Sequence, residues 1–109
     1  MKILTKEIEN EFKKQGYTGD KKPEDVKIIL KLFGGGACSW YLYEHIEDDI
    51  YMAYVNLGDL IYAECGTVSL NELMSIKFPP FGLGIERDMY FGEHTLKEVI
   101  DIVKDGGNI

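Results

Sequence analysis

The run Glu86-Arg87-Asp88 places a carboxylate on each side of a guanidinium, a combination that could bind an anion or a cation. If the surrounding LGIERDMYF is a strand, Leu83, Ile85, Arg87, Met89 and Phe91 share one face. Gly84, Glu86, Asp88 and Tyr90 then share the other. An arginine on an otherwise apolar face must reach solvent along its stem or pair with a carboxylate. ACSWYLYEH offers one, because Glu44 alternates onto the face of Cys38, Trp40 and Leu42. Glu64 is a second candidate partner. Such a pair reads as a salt bridge that locks the sheet, giving specificity more than stability. Alternatively, Arg87 presents its fork to the carboxylate or phosphate of a ligand. Glu86 and Asp88 lie about 7 Å apart on a strand and could flank a substrate or a metal ion, although a solvated face is the simpler reading.

The glycines Gly34, Gly35 and Gly36 raise the question of a phosphate cradle. A Walker loop needs a helix after its glycines and a Lys-Ser or Lys-Thr pair, whereas here Ala-Cys-Ser-Trp continues as a strand. The dinucleotide fingerprint fails for the same reason. A hairpin turn using positive φ is the simplest reading, with a backbone nest for a ligand's phosphate as the alternative. Cys38 lacks a base: His45 is seven residues further along the same strand, over about 20 Å away if it runs straight. A packed, inert thiol is expected. EHIEDD has the acidity of a calcium loop without its alternating ligands or central glycine, and reads as a charged turn. No metal-ligand spacing, cofactor motif or placeable catalytic pair emerges, so the chain is expected to bind neither metal nor cofactor and to be no enzyme.

These residues must be positioned by a chain of 109 residues, the size of one domain with one core. No run approaches a membrane span, and MKILTKEIENEF has no apolar signal-peptide region, so the expected compartment is the cytoplasm of a bacterium or its host. Two cysteines do not make a disulfide framework. A net charge of -7 disfavours direct nucleic-acid binding and mostly serves solubility.

Leu4, Ile8 and Phe12 mark one stripe of an amphipathic helix, with Thr5 as N-cap and Gly16 as terminator. YTGDKKPED is an exposed connector. Strands follow over 25–33, 37–45 and 50–58, then within 60–70, where Gly66 is a candidate break. Ser69 and Glu72 have the spacing of a capping box, opening a short helix at Leu70. The stretch 83–91 is a last strand. Thr95 and Glu98 form a second capping box before a helix carrying Leu96, Val99, Ile100 and Val103. The fold class is α+β: a mostly antiparallel sheet of about five strands with an N-terminal helix, a short internal helix and a C-terminal amphipathic helix.

Several of these blocks resemble the domain of unknown function 2958 family, small proteins of bacteria, plasmids and phages. They are K-L-F at Lys31–Phe33, W-x-L-x-E at Trp40–Glu44, N-L-G at Asn56–Gly58, E-C-G-T-V-S-L-N-E-L at Glu64–Leu73 and G-L-G-I-E-R-D at Gly82–Asp88, followed by Phe91. The resemblance covers 31–91 and leaves both terminal helices outside. This chain has Gly-Gly-Gly where the family often carries Asn-Pro, and Asn56 where it usually has Asp. The resemblance implies a mobile-element setting and no established activity.

Seven tyrosines, five phenylalanines and one tryptophan are a rich aromatic supply. Tyr41 and Tyr43 point away from the Trp40 face, and unless helices cover both faces some tyrosines are left on a patch suited to a protein partner. The leading expectation is a non-catalytic acidic module docking Tyr41, Tyr43, Glu86 and Asp88 on a host protein concerned with defence or DNA handling. A second is a small anionic ligand, nucleotide-like, held by Arg87 and the Gly34–Gly36 turn. The weakest is a hydrolase using Glu44, Glu86 or Asp88 with His45. Oligomeric state stays open.

Overall fold

The structure is a computed structural model and describes residues 3–35, 37–58, 63–79, 81–107 and 109. Helix α1 spans Lys6–Gln15; the Thr5 hydroxyl accepts from the Ile8 N–H, and Gly16 ends the helix at φ 60. A short 3-10 turn, Pro23–Asp25, follows. Strands β1 (Leu30–Gly34), β2 (Cys38–Glu47), β3 (Ile50–Asn56) and β4 (Glu64–Ser69) form an antiparallel meander. Helix α2 (Leu70–Ser75) leads on to β5 (Glu86–Arg87), and α3 is Leu96–Lys104. The sheet order is β4-β3-β2-β1-β5.

Helices cover both faces. On one, Ile8 and Phe12 of α1 and Leu70 and Leu73 of α2 pack on Leu30, Leu32, Trp40, Leu42, Tyr51, Ala53 and Ile85. On the other, Leu96 and Val99 of α3 pack on Val26, Ile28, Tyr41, Tyr43 and Tyr54. Strand alternation therefore feeds two cores rather than one core and one wet face. This overturns the expectation of an exposed tyrosine face: Tyr41 and Tyr43 are buried under α3 and are not free to dock.

The caps form as the sequence indicates. Ser69 accepts from the Glu72 N–H at the start of α2. Thr95 and Glu98 make both halves of a capping box on α3. β4 runs through Gly66 without a break; the earlier part of the expected strand, 60–62, lies outside the described residues. The expected strand over 83–91 shrinks to β5, because the chain turns at Met89–Tyr90. Ile85 joins the α1 side while Phe91 packs on the α3 side, so the alternation is lost beyond Arg87.

Candidate functional site

The register of β2 against β3 decides where Glu44 goes. Leu42 pairs with Ala53, but Glu44 pairs with Met52, leaving Tyr43 as an extra residue. This β-bulge shifts the alternation and carries Glu44 off the Trp40/Leu42 face onto that of Tyr43 and Met52. The carbonyl of Tyr43, the bulged residue, accepts from the Gln15 side chain at 2.6 Å. The same amide brackets Lys27: its Nε2 donates to the Lys27 carbonyl at 2.9 Å, and its Oε1 accepts from the Lys27 N–H at 2.8 Å. Gln15 thus fixes the end of α1 to two strand segments.

Once on that face, Glu44 meets the connector after α1. Its Oε1 accepts from the Thr18 N–H at 2.9 Å and from the Thr18 hydroxyl at 2.6 Å. The result is a cavity of about 540 Å³ between the connector and the sheet. Tyr17, Thr18, Lys21 and Pro23 form one side; Tyr43, Glu44, Ile46 and Met52 line the sheet side, and Leu96 adds the start of α3. Burial pushes the Tyr43 phenol pKa up, with the Cys65 hydrogen bond next and the charges of Cys65 and Glu44 after it. Tyr43 therefore stays neutral at physiological pH.

The expected Arg87–Glu44 pair does not form. Arg87 lies opposite Leu32, which pairs with Trp40, two strands away from Glu44 and four residues out of step. Sheet spacings put the two about 15 Å apart. Glu64 is further away still, on β4 at the opposite edge from β5. Glu86 is exposed, while Asp88 turns to Lys31, 3.2 Å from its ammonium. The two carboxylates therefore do not share an open face. Trp40 is buried in the α1-side core.

Gly34 and Gly35 lie in the β1–β2 hairpin, Gly35 at φ 60, as a turn requires; Gly36 lies outside the described residues. The Phe78 ring stands 2.8 Å from where a Gly34 Cβ would be and 2.6 Å from that of Gly35. That space holds an aromatic ring rather than an anion. Cys38 is half-buried against the core, and Cys65 is an exposed free thiol. His45 stacks on Tyr51, and its Nε2 sits 2.7 Å from the Asp48 carbonyl, away from Glu86 and Asp88.

Sequence reasoning missed a second cluster. Lys31, nearly buried beneath Phe91 and Tyr41, pairs with Asp88 and donates to the Ile109 carbonyl, which also accepts from Tyr41 at 3.0 Å. An isolated lysine in a strand gives no sign of this, because every partner is distant in sequence.

One family, described as "Protein of unknown function (DUF2958)", matches residues 3–109. The chain belongs to that family. The DUF2958 match reaches well beyond 31–91 and includes all three helices, so the terminal helices are part of the family's shared chain. No curated protein and no solved structure matches.

The blocks that carry the DUF2958 resemblance have structural work here. Asn56 Oδ1 accepts from the Gly58 N–H at 3.1 Å, closing a turn that Gly58 enters at φ 80. An aspartate there could accept the same bond, so the N-L-G and D-L-G forms share this turn chemistry. E-C-G-T-V-S-L-N-E-L is β4 running into the Ser69 cap and α2. G-L-G-I-E-R-D approaches and forms β5, ending where Asp88 meets Lys31.

Proposed function

We propose that this chain is a non-catalytic binding module that docks on a protein partner along the β5 edge of its sheet. The observation that carries this is the exposure of large apolar side chains on both flanks of β5. Phe81 is 82% exposed, Leu83 65%, Met89 60% and Tyr90 96%. Ile76 also faces solvent. Phe78 is half-buried against Gly34 and Gly35, which ties the Phe78–Leu83 bridge to the hairpin. Aromatic and methionine side chains of this kind are enriched in protein interfaces. The short β5 also leaves a sheet edge able to accept backbone hydrogen bonds.

Glu86 is exposed in the same segment, and the chain's net charge is -7. A partner with an apolar cleft and a basic rim complements this edge, and the opposite charge speeds its encounter. The resemblance to plasmid and phage proteins makes a host protein concerned with defence or DNA handling the concrete version of this reading. The reading keeps the expected function and moves its surface from the buried Tyr41 and Tyr43 to the 76–90 segment.

The test is affinity capture from bacterial lysate with the wild-type chain and with a Phe81→Ser, Leu83→Ser, Tyr90→Ser variant. All three side chains are exposed, so the variant should keep its fold, checked by its circular dichroism. A stoichiometric partner captured by the wild type and lost with the variant supports the reading. Equal capture by both removes this edge as the docking site.

A further inference from the structure

The cavity between the 17–23 connector and the sheet is separate from the β5 edge, and its chemistry is that of a small-ligand site. Its volume of about 540 Å³ falls within the range of organic-ligand pockets. Its walls are largely apolar, from Pro23, Val26, Ile46, Met52 and Leu96, with Tyr17 and Tyr43 adding aromatic surface. One carboxylate enters it. Glu44 is half-buried, and its Oε1 is held by both donors of Thr18. Among the described residues no lysine, arginine or histidine lies within ion-pair distance of Glu44. Lys21, at the same cavity, donates instead to the Gln15 carbonyl at 3.1 Å.

A carboxylate oriented by two hydrogen bonds, left without a cation and set among apolar and aromatic walls, is complementary to an organic ammonium. The apolar body displaces water from the walls, the ammonium meets Glu44, and tyrosine rings favour a nearby cation. We propose that this cavity binds a small organic amine in its protonated form, with the ammonium at Glu44 and the apolar body against Met52, Ile46 and Leu96. An anionic ligand, as the sequence suggested for Arg87, would face the uncompensated charge of Glu44 here. The bulge at Tyr43 creates the site, since without it Glu44 would lie on the α1 face of the sheet.

The test uses three probes with one indole body and different charges: tryptamine as cation, tryptophol as neutral alcohol and indole-3-acetate as anion. Each is titrated at neutral pH into the isotope-labelled chain while backbone amide resonances are followed. The proposal expects saturable tryptamine shifts concentrated at Thr18, Glu44 and Met52. It expects affinity about tenfold or more above tryptophol, and no saturation by indole-3-acetate. Glu44→Gln keeps an acceptor for Thr18 and removes the charge, so it should weaken tryptamine by about the same factor. Glu64→Gln, on the distant β4 edge, should leave binding unchanged and so control for general acidity. Equal binding of tryptamine and tryptophol overturns the proposal. So do shifts scattered over the acidic surface, unaltered affinity in a folded Glu44→Gln chain, or no saturation by tryptamine. The charge series on the wild type decides the matter even if the Glu44 variant does not fold.

Discussion

Gln15 and Tyr43 are joined by a 2.6 Å hydrogen bond from the glutamine amide to the carbonyl of the bulged β2 residue. A buried carbonyl without a donor is costly, so this side chain makes the bulge tolerable. The bulge in turn aims Glu44 at the 17–23 connector. A terminal helix residue thus controls the shape of a cavity on the far side of the sheet from α1's core contacts.

Gln15→Ala should therefore destabilise the chain by about 2 kcal/mol or more, since three hydrogen bonds are lost at about 1 kcal/mol each. Gln15→Glu should be at least as damaging, because a carboxylate cannot donate to the Tyr43 and Lys27 carbonyls. Urea unfolding of the two variants checks the order.

Lys31 and Asp88 are unequal partners: the lysine side chain is 11% exposed and the aspartate 24%. Removing the carboxylate strands the more buried charge. Asp88→Asn should cost about 2 kcal/mol, and Lys31→Met less, since Asp88 can still reach water. Asp88 also accepts from the Tyr90 N–H at 2.9 Å through Oδ1, an acceptor that asparagine keeps, so the turn after β5 should hold in this variant. Chemical denaturation gives the energies, and amide exchange at Tyr90 reports the turn.

Asp49 ties the β2–β3 turn to α2. It accepts from the Ser69 hydroxyl at 2.5 Å and from the Asn71 N–H at 3.2 Å. The Ser69 bond, ahead of a smaller opposing effect of burial, holds its pKa below the usual 3.8. A carboxylate depressed on folding contributes stability that is fully present above its unfolded pKa. That contribution is lost as the pH falls through its lower folded value. Asp49→Asn should therefore be less stable than wild type at pH 7, and the gap should close below about pH 4. Thermal melts of both chains across pH 2 to 7, on the order of one melt per unit, follow the gap directly.

The helix caps were legible because Thr5, Ser69 and Thr95 act on backbone groups three residues away. The meander was legible from alternation and short turns. The two-faced core was less so, since covering a second face depends on where α3 docks, through the Ile28 N–H on the His94 carbonyl and the Leu96 N–H on the Val26 carbonyl. Glu44 was misplaced because a single-residue bulge inverts the side chains that follow it, here up to the next register shift between His45 and Glu47, and nothing in YLYEH marks it. The Arg87 pairing failed because face-sharing in two strands says nothing about strand order or register. The apolar residues of the β5 edge were visible one by one, but their exposure follows from the turns at 81–82 and 89–90 on either side of β5.

The docking edge can be tested most directly by photo-crosslinking in living bacteria. A benzophenone amino acid is placed at position 81, at position 90 or, as a control, at position 64 on the opposite edge strand. Docking along β5 predicts that one and the same protein is captured from positions 81 and 90 and not from 64. No adduct at 81 and 90, or the same adduct from 64, would contradict it.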